Sequence, residues 1–229
     1  MAESQAFLTV VGLDGRRRVG QCLRVRTLLE EQYAALADWL DEVPVSAHLV
    51  EPVGLGDWTV RELVAHLGLG IGLSRYVAVA ESDAVPLSLG EYVRAYPPAS
   101  EQIAGMTREL SARFGDDLVG GFRRTATEAF EVLDATPGDV FRARRGPITR
   151  DDYLMTRLLE LVAHGDDLQR ALGRTDAPLL PAAVDAVAEA LATAYEERTG
   201  VAPADARGLP WIRRAAGRVP DDDPHLPLL

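Results

Sequence analysis

The sequence predicts an all-α protein, a four-helix bundle with a short C-terminal appendage. Three observations predict it. Apolar residues recur at helical spacing in four long stretches, two of these open with a Thr-x-x-acidic start signal, and the links between them are of medium length. At 229 residues the chain can bury one good core with a smaller addition, but not two large domains.

Residues 1–20 read as a leader, either a loose strand or a disordered segment. Their charges follow the short apolar run, so they do not form a signal peptide, and no stretch of the chain is long and apolar enough to span a membrane. The bundle is expected over residues 21–175. Its first helix covers residues 21–43, with Leu23, Val25, Leu28, Leu29, Leu36 and Leu40 mostly at helical spacing. The second starts at a capping box of Thr59 and Glu62, with Trp58 placed to staple onto Leu63. Its apolar stripe is Val60, Leu63, Val64, Leu67 and Ile71. Gly68, Gly70 and Gly72 each cost roughly 1 kcal/mol against Ala inside a helix, so they predict close helix contact, a kink or room for a ligand.

Residues 84–97 read as a connection holding one short helix, and Pro97-Pro98 suits the start of the next. A third helical region runs from about residue 98 to 135, broken near Gly115 or at Gly120-Gly121. The turn TPGD and the segment VFRARRGP lead to Thr149 and Asp152, which start the fourth helix; it ends at Gly173. Residues 176–229 form the appendage: an Ala-rich helix over residues 181–198, then a Pro-rich tail with one short helix.

A net charge of −11 argues against nucleic acid, whose phosphates require a basic surface; the only dense basic run is Arg16, Arg17 and Arg18. Every basic residue is Arg, and the chain contains neither Lys nor Asn. Without Lys there is no Schiff-base amine and no P-loop lysine, which excludes PLP enzymes, class I aldolases and Walker-type NTPases. The lone Cys22 builds neither an internal disulfide nor a thiolate cluster, and it reads as a small buried hydrophobe in a cytoplasmic, reducing setting.

The chemistry-bearing stretch is RLLELVAHGDDLQRALG in the fourth helix. Residues four apart in a helix are offset by about 40°, so Glu160 and His164 share a face outside the apolar stripe, with Asp167 near the same line. His66 lies about 60° beyond Leu63, at the edge of the second helix's stripe. Taken alone, an E-x-x-x-H pair is usually a surface hydrogen bond. Asp167 reads either as a solvated carboxylate or as a group standing behind the candidate ligands, and Asp166 as an ion pair with Arg170. His48 and His225 read as exposed. No H-E-x-x-H, no second Glu-His unit of the ferritin type, no G-x-S-x-G and no G-x-G-x-x-G occurs.

The blocks GDWTVRELVAHLG and ITRDDYLMTRLLELVAHGDDLQRALG resemble the mycothiol-dependent maleylpyruvate isomerase family of the DinB-like superfamily, over roughly residues 21–175. The resemblance implies a DinB-like bundle with a divalent metal, zinc by preference, held by His66, Glu160 and His164. The family's usual α/β C-terminal domain has only a shorter counterpart here, although PWIRRAAGR at residues 210–218 resembles its closing W…GR element. The Arg-only composition suggests a GC-rich coding sequence and fits an actinobacterial source, where mycothiol is the common small thiol.

Together these readings lead to a metal-dependent S-transferase that delivers mycothiol to an electrophilic small molecule. Its alternatives are a cis-trans isomerase of the maleylpyruvate type and a non-catalytic metal- or ligand-binding bundle. Asp167 and Arg218 are the catalytic candidates beside the metal ligands, and Arg213, Arg214 and Arg218 the candidate anchors for the thiol cosubstrate. The expected assembly is a monomer or homodimer without nucleic acid or membrane partners.

Overall fold

The computed structural model describes residues 24–176 and 178–229; the expected leader over residues 1–20, with Arg16 to Arg18, and also Cys22 lie outside the described residues. Within them the fold is mainly helical, as the sequence predicts. The helices are α1 (24–42), α2 (Val60–Gly72), α3 (Leu89–Val93), α4 (Ser100–Phe114), α5 (Leu118–Ala135), α6 (Arg150–Ala171), α7 (Pro181–Thr199) and α8 (Gly208–Ala215).

Helix α2 is central, packed against α4, α5 and α6, and every residue from Leu63 to Gly72 is buried. Glu62 closes its N-terminus by accepting hydrogen bonds from the Thr59 amide at 2.8 Å and the Thr59 hydroxyl at 2.9 Å. A Cβ on Gly72 would stand 2.4 Å from the Thr125 methyl group, so this glycine lets α5 approach closely. Of the three roles open to the α2 glycines, close helix contact fits this one. Helix α1 lies beside α5, with the Tyr33 ring 5.1 Å from Phe122 and 5.5 Å from Phe130.

The third helical region divides at the first of its two expected breaks. Gly115, with φ of 57°, ends α4, and the Asp117 side chain accepts from the Gly120 amide at 3.2 Å to cap α5. Helix α6 opens on Thr149, whose hydroxyl oxygen accepts from the Asp152 amide at 3.1 Å.

The segment VFRARRGP holds more structure than the sequence suggested. Strands β1 (Ala78–Val79), β2 (Val140–Ala143) and β3 (Gly146–Thr149) make a small antiparallel sheet in the order β1-β2-β3. A two-residue loop, Arg144 and Arg145, joins β2 to β3, and the facing pair Phe141 and Ile148 is fully buried. The appendage shares the core: Ala183, Val187, Leu191, Trp211 and Ile212 belong to the same buried cluster as the bundle residues. Buried Gln32 of α1 ties it down, donating to the Pro178 carbonyl at 2.8 Å and accepting from the Leu180 amide at 2.9 Å.

Candidate metal centre

Helix α2 contributes His66, and α6 contributes Glu160 and His164 one turn apart, at the seam where the two helices pack. Glu160 Oε2 lies 3.4 Å from His66 Nε2 and 3.4 Å from His164 Nε2. One donor atom from each of the three residues falls within 4.8 Å of the others. At 3.4 Å the contacts are long for hydrogen bonds. Ligand bonds of roughly 2.0–2.2 Å at tetrahedral angles separate neighbouring donors by about 3.4 Å. Two imidazoles and one carboxylate at this spacing fit a divalent cation with one coordination position left open.

The far side of each ring is also held. His66 Nδ1 is 3.2 Å from the Thr107 hydroxyl of α4, and His164 Nδ1 is 3.0 Å from Asp167 Oδ2. With Nδ1 protonated, both Nε2 lone pairs turn towards Glu160; an imidazole backed by a carboxylate is a common support for a metal ligand. Asp167 is 3% exposed, so it is not a solvated carboxylate. Arg218 clamps it, with Nε 3.0 Å from Oδ1 and Nη2 3.0 Å from Oδ2.

The electrostatics follow from this packing. Burial depresses the pKa of His66, and the neighbouring His164 adds to the effect. Burial would also lower His164, but its hydrogen bond to Asp167 and the neighbouring Glu160 carboxylate outweigh that and raise it. Burial alone would raise Glu160 and Asp167. The two imidazoles hold Glu160 well below the ordinary carboxylate range, and His164 with Arg218 lowers Asp167.

The structure thus gathers His66, Glu160, His164, Asp167 and Arg218. The other two arginine candidates are directed elsewhere. Arg213 grips buried Asp166 through Nε at 2.8 Å and Nη2 at 2.6 Å, and the expected Asp166 partner, Arg170, forms a longer ion pair with it at 3.8 Å. Arg214 pairs with Asp221. A cavity of about 420 Å³ lies one turn from His66, bounded by Thr59, Glu62, Arg108 and Ser111.

Four further residues at the site were not singled out from the sequence for this role. The Trp58 ring, expected against Leu63, packs 4.7 Å from the His66 ring, and Thr107 reaches His66 from α4. Arg157 is buried; its Nη1 donates to the Gly70 carbonyl at 2.5 Å and its Nη2 to the Tyr96 hydroxyl at 2.9 Å. Arg157 was legible as the residue one turn before Glu160, on the Glu160 and His164 face. Tyr96, in a connecting segment, carried no such signal.

Gly70 supplies a direct test of the seam. A Cβ there would stand 3.2 Å from Glu160 Cβ, too near the α6 backbone to yield by rotation. Gly70→Ala gains roughly 1 kcal/mol of helix propensity, which offsets much of the crowding. We expect a melting temperature within a few degrees of wild type but zinc affinity at least about tenfold weaker. Calorimetric titration of both proteins checks the pairing.

A largely buried His, Glu, His set at the seam of a helical bundle, with each outer ring nitrogen held, defines the class: a DinB-like bundle with a candidate metal centre. The family model of the mycothiol maleylpyruvate isomerase N-terminal domain matches residues 29–169, and the chain belongs to that family. The match includes His66, Glu160, His164 and Asp167 and ends before α8, which holds Arg213 and Arg214, and before Arg218, which follows it. No curated protein and no solved structure matches the chain. Among the described residues, no helix is long and apolar enough to cross a membrane.

Proposed function

We propose that the protein is a metal-dependent, mycothiol-dependent enzyme that transfers the thiol sulfur to an electrophilic small molecule. One observation carries the reading: the 3.4 Å spacing of Glu160 from both Nε2 atoms, with Thr107 and Asp167 behind the rings. A divalent ion, zinc by preference, bound by His66, Glu160 and His164 would lower the pKa of a thiol from about 8.5 and make thiolate available at neutral pH. The family's description supports mycothiol as that thiol.

The chain's own residues then have distinct roles. Glu160 supplies the negative charge that retains the cation. Asp167 fixes the His164 tautomer and keeps its Nε2 basic, and Arg218 offsets the Asp167 charge, so Arg218 acts as a positioning residue. The family's description favours a second reading, in which the same thiolate adds to a conjugated double bond, permits rotation and leaves. The proposed setting is a reducing cytoplasm, as a monomer or homodimer; the charge of −11 favours small-molecule partners over nucleic acid.

Mass spectrometry of protein, mycothiol and a panel of electrophiles tests this. A stable thiol conjugate supports transfer, and a recovered isomer of unchanged mass supports the second reading. Zinc-loaded protein that neither conjugates nor isomerises any member of the panel contradicts both. His48 bonds Glu51 at 2.8 Å and His225 is exposed, so changing either to Ala leaves turnover intact, whereas His66→Ala or His164→Ala abolishes it.

A further inference from the structure

The guanidinium groups of Arg213 and Arg218 end on carboxylates, but that of Arg157 does not, although Arg157 is only 2% exposed. Its hydrogen-bond partners among the described residues are neutral: the Thr156 hydroxyl at 3.1 Å, the Gly70 carbonyl at 2.5 Å and the Tyr96 hydroxyl at 2.9 Å. A buried charge is ordinarily paired with an opposite one, because removing it from water costs several kcal/mol.

This cation stands beside the candidate metal centre. Arg157 precedes Glu160 by one turn of α6, and the backbone it grips, Gly70, is the one that faces Glu160 Cβ. Its charge is felt by His66, and Tyr96 lies within the field of both Arg157 and Glu160. The Tyr96 oxygen accepts from Arg157, and among the described residues no acceptor receives its phenolic hydrogen. Arg145 packs on the same ring, 4.3 Å from its centre. Burial raises the phenol's pKa, so it keeps its proton at neutral pH.

We infer that Tyr96, held and polarised by Arg157, donates a hydrogen bond to the electrophile's oxygen on which negative charge develops as the thiol adds. The inference rests on the proposed thiol chemistry. The thiol has already released its proton to solvent when its sulfur forms a C–S bond at the β-carbon of a conjugated carbonyl compound. The carbon-carbon π pair shifts towards the carbonyl oxygen, giving an enolate that accepts from Tyr96. Protonation at carbon by water completes transfer; return of the electron pair expels the thiolate and completes isomerisation. Tyr96 stays protonated throughout, and Arg157 is a positioning residue.

The test uses zinc-loaded full-length protein, wild type and Tyr96→Phe, with equal zinc content and circular dichroism established first. Turnover is followed with mycothiol and two electrophiles: methyl vinyl ketone, whose addition places charge on oxygen, and benzyl bromide, whose leaving bromide carries it away. Losing one such donor typically costs about 100-fold or more in kcat. Tyr96→Phe should lose that factor with methyl vinyl ketone, chiefly in kcat rather than KM, and stay within about twofold with benzyl bromide. Equal losses on both electrophiles, or none on either, overturn the inference.

Calorimetric binding of crotonate without thiol gives a readout separate from turnover. Tyr96→Phe should weaken it about tenfold, the scale of one hydrogen bond to a charged oxygen; equal crotonate affinity in the two proteins overturns the inference. If wild type fails to turn over either electrophile while crotonate affinity still falls in the variant, the thiol chemistry is wrong and Tyr96 as an oxygen-binding donor stands.

Discussion

Glu160→Gln is expected to abolish tight metal binding while leaving the fold intact. The change keeps size and helix propensity but removes the charge that faces both imidazoles at 3.4 Å. Losing a group behind a ligand typically costs 10–100-fold in metal affinity, so loss of a ligand's charge should cost about 100-fold or more. Thermal unfolding reads this directly. At zinc 1,000 times the wild-type dissociation constant, binding stabilises wild type by about 4.1 kcal/mol; a 100-fold weaker site gains only about 1.4 kcal/mol. A surface Glu would change stability within about 0.5 kcal/mol and alter no metal response.

Arg218→Ala should produce the second largest effect, on stability and metal affinity together. It leaves the Asp167 carboxylate buried without its guanidinium partner. Breaking a buried pair costs about 3–5 kcal/mol, and the lower end applies because the Arg218 side chain is 22% exposed. His164 keeps its contact with Asp167 but loses the group that anchors that carboxylate, so zinc affinity should fall about 10–100-fold. Arg213→Ala is the control. It breaks the adjacent clamp on Asp166, which does not touch a candidate ligand, so it should destabilise comparably and leave zinc affinity within about threefold. Chemical denaturation and zinc titration of both variants separate the effects.

What the sequence made legible is what helical periodicity and local caps encode. Thr59 with Glu62 and Thr149 with Asp152 marked the starts of the two helices that build the centre, and spacing placed Glu160 beside His164 on one face. His66 was visible at the edge of an apolar stripe, although periodicity did not assign it a partner on another helix; the resemblance did. The sheet was obscure because its paired strands β2 and β3 are only four residues long, too short for an alternating pattern to stand out. The roles of the C-terminal arginines were obscure for another reason. Arg213 and Asp166 are 47 positions apart, and nothing local distinguishes a guanidinium that clamps a buried carboxylate from one that faces solvent. Tyr96 acquires its place from Arg157, 61 positions later, which no local pattern encodes.

The central claim is that His66, Glu160 and His164 hold one divalent ion at which a thiol ionises. Elemental analysis of untagged protein, followed by calorimetric titration of mycothiol at neutral pH in two buffers of different ionisation enthalpy, tests it most directly. We predict one ion per chain and about one proton released per thiol bound by wild type, with neither in Glu160→Gln. Thiol binding that is the same with and without metal, and that releases no proton, would contradict the account.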